Sequence, residues 1–409
     1  MDQDREIRVG VVGVRRGESF IRGATGAVGM RLTAICDIWE ERLERVGRAH
    51  GVATFTDYGD FLDSGLDAVI LANYFHEHAP FAVRALAAGK HVLSETAANG
   101  TLAEGVALCR AVERSGCTYM LAENYCYTLF SQEMRRLYQT GEIGRVTYAE
   151  GEYNHPMAPE ARLRLAPGED HWRNRIPSTY YCTHALAPLV YITGSMPRMV
   201  NGLSISAPEV EEETVRRGDA GSVILCRTDD GAVFRIFGLS LPGHSNWYRV
   251  HGTKGAMEIA RGPGYFGPGH VRVWHEAWNR WPGQALERSY LPEWPEHAEL
   301  AERAGHGGGD FWTNFHFARA IRSGEAPFLD VYRAVAMSSV GILAWRSALQ
   351  EGQPVQVPDF RDEAQRAPLE DDTWSPWPAG DPRAPSSILP SREPSAEALE
   401  RARRIWSDL

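Results

Sequence analysis

An apolar run that breaks into closely spaced glycines constrains a fold more tightly than any other segment here, and Ile7-Arg8-Val9-Gly10-Val11-Val12-Gly13-Val14-Arg15-Arg16-Gly17 is such a run. Its apolar residues suit a strand buried on both faces of a parallel sheet. Its glycines let the chain turn sharply into a helix, where backbone N–H groups can approach a pyrophosphate. The spacing of Gly10, Gly13 and Gly17 departs from G-x-G-x-x-G, so on this segment alone a plain tight turn is the alternative. A second strand over residues 31–37 ends on Asp37, about twenty residues past the turn, where a carboxylate can accept hydrogen bonds from both hydroxyls of an adenosine ribose. An acid at that position favours NAD over NADP as the cofactor.

Strand and helix patterns alternate after the turn: a strand over 66–72, a helix over 79–88, a strand from His91, a helix over 101–115 opened by Thr101 with Glu104 three residues on, and a strand over 118–122. This βαβ order predicts a doubly wound parallel sheet of α/β class. From about residue 145 the pattern changes to longer alternating strands, over 146–153, 221–228, 233–239 and 247–251, which predict an antiparallel sheet. Helices are expected over 310–323 and 331–352, packing back on that sheet. The chain thus divides into a Rossmann domain over 1–126, a substrate and oligomerisation α/β domain over 127–364, and a proline-rich tail over 365–409 ending in a short amphipathic helix. No repeat of fixed period points to a solenoid.

With 43 Lys and Arg against 53 Asp and Glu, the formal charge of −10 argues against nucleic-acid binding, which wants a basic face. The six cysteines are scattered without a C-x-x-C pair, and no H-x-x-x-H or Cys/His cluster appears, so neither a disulfide framework nor a metal site is expected. No apolar stretch is long enough to span a membrane. The first strand begins near residue 7, leaving no room for a signal peptide before it, and a cytoplasmic location is expected.

Several segments carry a family resemblance. Lys90-His91-Val92 before a strand, Asn73 and His76 after Ala68-Val69-Ile70-Leu71, His251-Gly252-Thr253-Lys254-Gly255, and Pro354-Val355-Gln356-Val357-Pro358-Asp359-Phe360 together resemble the Gfo/Idh/MocA oxidoreductases over residues 5–360. The resemblance implies a Rossmann domain followed by an α/β domain with an open, mainly antiparallel sheet, and a homo-oligomer, dimer or tetramer, formed through that sheet. In dehydrogenase members the strand after Lys90 ends in Glu-Lys-Pro, the lysine polarising the reacting hydroxyl. Here the segment reads Ser94-Glu95-Thr96, with Thr96 in the lysine's place.

Other segments narrow the match. Glu95-Thr96-Ala97-Ala98, Glu123-Asn124-Tyr125-Cys126-Tyr127, Glu152-Tyr153-Asn154-His155, Tyr181-Cys182-Thr183-His184-Ala185-Leu186-Ala187-Pro188 and Gly305-His306-Gly307-Gly308-Gly309-Asp310 are similar, in this order, to the NAD-dependent α-N-acetylgalactosaminidase family of glycoside hydrolases. That family also lacks the lysine. Its site glutamate, its strand tyrosine and its Y-x-x-H pair correspond to Glu123, Tyr153, Tyr181 and His184. The resemblance implies a glycosidase that works by transient oxidation: hydride leaves sugar C3 for NAD⁺, a side-chain base removes the acidified C2 proton as the aglycone leaves C1, water adds, and the hydride returns. His184 with Tyr181 is the candidate for the C3 hydroxyl proton and Tyr153 for the C2 proton, and the two roles are exchangeable at this stage. Thr96 and the Arg15-Arg16 turn depart from the family pattern, which has Val-Pro and a glycine-richer turn there.

The cofactor is expected to touch Gly10, Gly13, Arg15, Arg16, Asp37, Asn73, His76, Glu95, Asn124, Trp172 and Arg173, and the small-molecule glycoside to touch His155, Arg162, Arg164 and His306. Each has a plainer alternative. Glu123 can cap a strand end, His76 and His155 can serve loop hydrogen bonds, Tyr153 can be a packed aromatic, and the glycines around His306 can be a linker. The guanidinium groups at 162, 164, 173 and 175 suit an acidic sugar such as a sulfoquinovoside, which stands beside an N-acetylhexosaminide as substrate. A plain NAD(P)-dependent sugar dehydrogenase and a non-catalytic nucleotide and sugar sensor are the alternative functions.

Overall fold

The structure is a computed structural model, which describes residues 6–262, 269–376 and 393–409. The chain forms two compact units. The first comprises Met1–Leu129, Glu293–Val335 and Asp359–Asp372, and the second Phe130–Pro292, Ala336–Pro358 and Thr373–Leu409.

In the first unit six strands, β1 (Ile7–Val12), β2 (Met30–Cys36), β3 (Ala53–Phe55), β4 (Ala68–Leu71), β5 (His91–Ser94) and β6 (Tyr119–Leu121), form one sheet in the order β3-β2-β1-β4-β5-β6. Every pairing is parallel, as the βαβ pattern predicts. The central strands are apolar on both faces because helices cover both: all four residues of β4 are buried, as are Val9, Val11 and Val12 of β1. Arg8 ties the start of β1 to the loop before β4 through a two-pronged contact with Asp67, at 2.9 and 3.0 Å. Thr101 and Glu104 form the expected capping box on the helix Leu102–Ser115.

The helix Gly309–Ser323 also belongs to this unit, which corrects its expected place on the antiparallel sheet. It packs on the helix Glu18–Gly23 and on the turn Asn124–Tyr127. The reason is local: Gly309 comes so close to that turn that a Cβ there would lie 2.3 Å from the Asn124 carbonyl oxygen.

The second unit is built on a nine-stranded open sheet in the order β14-β13-β12-β11-β7-β10-β9-β8-β15. The strands are β7 (Val146–Asn154), β8 (Pro197–Ile205), β9 (Gly221–Thr228), β10 (Val233–Leu239), β11 (Ser245–Gly252), β12 (Ala256–Ile259), β13 (Val271–Trp274), β14 (Glu287–Tyr290) and β15 (Val355–Gln356). All pairs are antiparallel except β7 with β10. That one parallel pair follows from the helical crossover after β7, which sends the chain out to β8 before it returns through β9 and β10.

Two helices seat on this sheet by backbone contact. A Cβ on Gly151 of β7 would lie 2.0 Å from the Ala185 carbonyl oxygen in the helix Thr183–Thr193, and one on Gly202 of β8 would lie 2.2 Å from that of Ala344 in the helix Val331–Ala348. On the alternate positions of the strands the sheet carries ion pairs instead, including Arg235 to Glu150 at 2.8 Å and to Glu152 at 3.0 Å.

Much of the proline-rich tail falls on 377–392, outside the described residues. Its helix, Ala396–Trp406, is capped by Ser395 and packs Leu399, Ile405 and Trp406 over Leu163 and Val215. The Trp406 indole N–H donates to the Leu163 carbonyl at 2.8 Å.

Because nothing larger than hydrogen fits between β7 and its helix, Gly151→Ala should cost about 1–3 kcal/mol of stability. It should show as a lower urea midpoint for the second unit.

Candidate functional site

The carboxyl edge of the parallel sheet, where open α/β sheets bind ligands, gathers most of the residues expected at the cofactor. Gly13 has φ +90°, and a Cβ there would lie 2.4 Å from the Ala72 carbonyl oxygen. Only glycine fits this turn after β1, where the chain presses against the residue that follows β4. A Cβ on Gly10 would strike Phe61 at 2.4 Å, so this glycine packs the helix Tyr58–Asp63 on the sheet rather than facing a ligand. Asp37 lies one residue past β2, where its carboxylate accepts from the backbone N–H of Val14 at 2.7 Å and of Trp39 at 2.9 Å. Two acceptor positions remain of the roughly four a carboxylate offers. Asn73, after β4, keeps a buried carboxamide oxygen that makes no hydrogen bond, as a residue waiting for a donor would. The glycine turn, the acid at the end of β2 and this orphaned oxygen fit a dinucleotide.

Arg16 and Glu95, both expected at the cofactor, form an ion pair with each other, and Arg16 also donates to Ser19 at 2.7 Å. Arg15 is exposed. His76 stacks on Tyr74 at 6.2 Å, and burial lowers its pKa, favouring the neutral ring. Thr96, in the place of the family lysine, is buried.

His306 adopts φ 52° at the head of its glycine run, and its Nδ1 meets both oxygens of Asp310 at 3.0 and 3.1 Å. Asp310 is buried and accepts also from Asn124 Nδ2 at 2.8 Å. The hydrogen bond and charge of Asp310 raise the His306 pKa. Glu123 is fully buried, and its carboxylate accepts the Tyr125 N–H at 3.3 Å, so it caps the turn Asn124–Tyr127.

The second unit brings the other candidates together. Tyr153, next to last in β7, lies 4.6 Å from the His184 ring and 6.3 Å from that of Tyr181, with which it stacks. Tyr181 ends a 3-10 turn, Ser178–Tyr181, that runs into the helix Thr183–Thr193, and its three-residue spacing puts its ring 5.5 Å from His184. Tyr248 of β11 donates to the His184 carbonyl at 2.6 Å, fixing the helix start. Arg173 donates to the Tyr181 hydroxyl at 3.2 Å and lies 4.3 Å over the Trp172 ring. Trp172 and Arg173, expected at the cofactor, therefore belong to the tyrosine–histidine cluster. His155 extends it, 5.8 Å from Tyr153.

Two expected substrate residues have carboxylate partners of their own. Arg162 pairs at 3.1 Å with the buried Glu211, burial pushing its pKa down to about 10. Arg164 pairs with Glu160 at 3.2 Å on the surface.

Three residues escaped the sequence reading. His244 lies 4.9 Å from His155 because β11 pairs with the end of β7, a register invisible before the two strands are matched. Asp310 anchors His306. His78 bonds the Ala97 carbonyl at 2.9 Å and the Asn73 carbonyl at 3.3 Å, joining the segments after β4 and β5; the run Asn73-Tyr74-Phe75-His76-Glu77-His78 was its only signal. Among the described residues no group of His, Cys, Asp and Glu could hold a metal ion.

Asp37→Ala should weaken NAD binding by roughly tenfold or more, from the loss of hydrogen bonds to a charged acceptor. Calorimetric titration of stripped protein measures this; unchanged affinity would place the ribose elsewhere.

Residues 7–123 match the oxidoreductase family with an NAD-binding Rossmann fold, 131–258 the GFO/IDH/MocA C-terminal domain, and 200–365 the glycosyl hydrolase 109 C-terminal domain. A glycosyl hydrolase family 109 protein of Solibacter usitatus is 28% identical over 393 residues, covering 87% of this chain and 88% of its own. One from Stenotrophomonas maltophilia is 26% identical, covering 89% and 92%. Among solved structures, levoglucosan dehydrogenase in complex with NADH superposes with a TM-score of 0.73 at 20% identity, covering 87% of this chain and 100% of that one. Aldose-aldose oxidoreductase from Caulobacter crescentus does so at 0.68 and 19%, covering 86% and 100%. NAD is the cofactor of the first unit, and the chain belongs to the Gfo/Idh/MocA oxidoreductases, with a C-terminal domain of the glycosyl hydrolase 109 type.

Proposed function

We propose that the protein is an NAD-dependent glycosidase that oxidises its sugar transiently and regenerates the cofactor in each turnover. The observation that carries this reading is the convergence of Tyr153, Tyr181 and His184 in the second unit, in a chain whose position 96 holds a buried threonine instead of a lysine. The glycosyl hydrolase 109 relatives support it.

Bound NAD supplies reversible acceptance of hydride from sugar C3. The protein's own groups handle protons. His184, with Tyr181 held by Arg173, takes the C3 hydroxyl proton as that carbon is oxidised, and Tyr153 takes the C2 proton that the ketone has made acidic. Loss of that proton forms the C1–C2 double bond and releases the aglycone from C1. Water then adds its hydroxyl at C1 while the proton returns to C2; once C3 has regained its hydride and, from His184, its hydroxyl proton, the sum is hydrolysis. A base positioned within reach of such a proton contributes about 100-fold or more.

The substrate we favour is a neutral N-acetylhexosaminide over an acidic sugar. Glu211 neutralises Arg162 and Glu160 pairs with Arg164, while Arg173 is engaged by Tyr181. Arg175 likewise pairs with Asp170, so carboxylates neutralise three of the four guanidinium groups and the fourth is committed to Tyr181.

Purified protein should carry NAD and cleave an aryl N-acetylhexosaminide with no added cofactor and no net NADH. Stoichiometric NADH would instead make it a sugar dehydrogenase, and neither outcome a sensor. Deuterium at substrate C2 should be partly washed out in ordinary water, and His184→Ala should suppress washout and cleavage together by about 100-fold. Cleavage with full deuterium retention would refute elimination, since direct displacement at C1 leaves C2 untouched.

A further inference from the structure

The first unit contains a second arrangement of charge that the proton chemistry above does not use. Its carboxyl edge holds two neighbouring ion pairs, Arg16 with Glu95 and His306 with Asp310. The charges of Arg16 and Glu95 both reach the His306 ring. Arg16 lies in the glycine turn after β1 and Glu95 directly after β5, so both flank the dinucleotide's place.

Asp310 is built to hold this position. It is buried, it bonds His306 Nδ1 with both oxygens, and Asn124 Nδ2 fixes it from the other side. Glycines make room for it: a Cβ on Gly305 would lie 2.5 Å from Asp310 Oδ2, and one on Gly309 would strike the Asn124 carbonyl at 2.3 Å. While the ring is protonated, Nδ1 donates to Asp310 and Nε2 is a second donor, on a side chain that is only part-buried. The groups that face His306 are Asp310 from the helix Gly309–Ser323, Arg16 from the turn after β1, Glu95 from the segment after β5, and the Tyr125 ring at 6.1 Å from the turn Asn124–Tyr127.

We propose that Asp310 is a positioning residue that keeps His306 protonated beside the Arg16–Glu95 pair, so that NAD retention depends on pH: loss of the ring proton leaves the Asp310 carboxylate uncompensated at the edge where the anionic dinucleotide binds. The inference rests on NAD binding by the first unit and not on the glycosidase chemistry. Its sign follows from linkage: Asp310 raises the His306 pKa, so the ring is charged at low pH and loses its charge as pH rises through that raised value. Affinity for NAD, whose pyrophosphate is negative throughout, falls over the same window.

The test is titration of stripped enzyme with NAD, followed by tryptophan fluorescence between pH 6 and pH 9. Wild-type affinity should fall about threefold or more across that range. In Asp310→Asn the fall should come at lower pH. His306→Gln should bind weakly with no such fall, and His306→Lys, a cation throughout, should keep its affinity at pH 9. An unmoved midpoint in Asp310→Asn, or a pH dependence that survives His306→Gln, overturns the proposal. Should Asp310→Asn not fold, the two variants at 306 and the imidazole NMR titration of the wild-type enzyme decide it, a His306 that titrates at or below the ordinary histidine value being fatal. No sugar and no turnover enter these measurements, so they stand or fall apart from the glycosidase reading.

Discussion

The second unit depends on one close approach. Where Gly151 of β7 meets the Ala185 carbonyl, strand and helix touch backbone to backbone, and this contact sets the register between them. Tyr153 lies two residues along the strand from Gly151, on the same face, and His184 lies one residue before Ala185. Their rings come within 4.6 Å as a consequence of that register. Gly238 in β10 completes it, since a Cβ there would press on the Tyr153 carbonyl at 2.1 Å. The geometry of the aromatic cluster is thus set by residues that carry no side chain.

In the first unit the order comes from charge instead. Buried charges are costly unless paired, and here each carboxylate near the sheet edge has a specific duty: Asp37 on two backbone amides, Glu95 on Arg16, Asp310 on His306 and Asn124, Glu123 on the turn after β6. His78, wholly buried and held neutral by desolvation, joins the loops after β4 and β5 through two carbonyls. The threonine at 96 therefore sits next to Ala97, whose carbonyl that imidazole holds.

What the amino-acid sequence reveals and what it conceals differ by range. The strands Gly221–Thr228 and Val233–Leu239 coincide with their expected spans because alternation is a local signal, and the capping box at Thr101 is written within four residues. The Y-x-x-H spacing likewise foretells that Tyr181 and His184 share a face. The strand Pro197–Ile205 opens on a proline and alternates weakly, and β12, β13 and β14 have four residues each, too few for a period to show. Partners distant in the chain were also out of reach: Arg162 finds Glu211, Asn124 finds Asp310, and the helix Gly309–Ser323 returns to the first unit through a glycine whose importance lies in what it nearly touches.

The helix Ala396–Trp406 gives the order of assembly a direction. Its indole reaches back 243 residues to the Leu163 carbonyl, and Arg403 pairs with Glu169 at 2.9 Å, so it seats the stretch that leads into Trp172 and Arg173. On a ribosome the sheet strands, the Y-x-x-H turn and the glycine contact between them all emerge well before this helix does. The Tyr153–His184 pair can therefore form while the chain is still being made. The loop that brings Arg173 to Tyr181 gains its full seat only once this helix has been made, Arg403 following Glu169 by 234 residues.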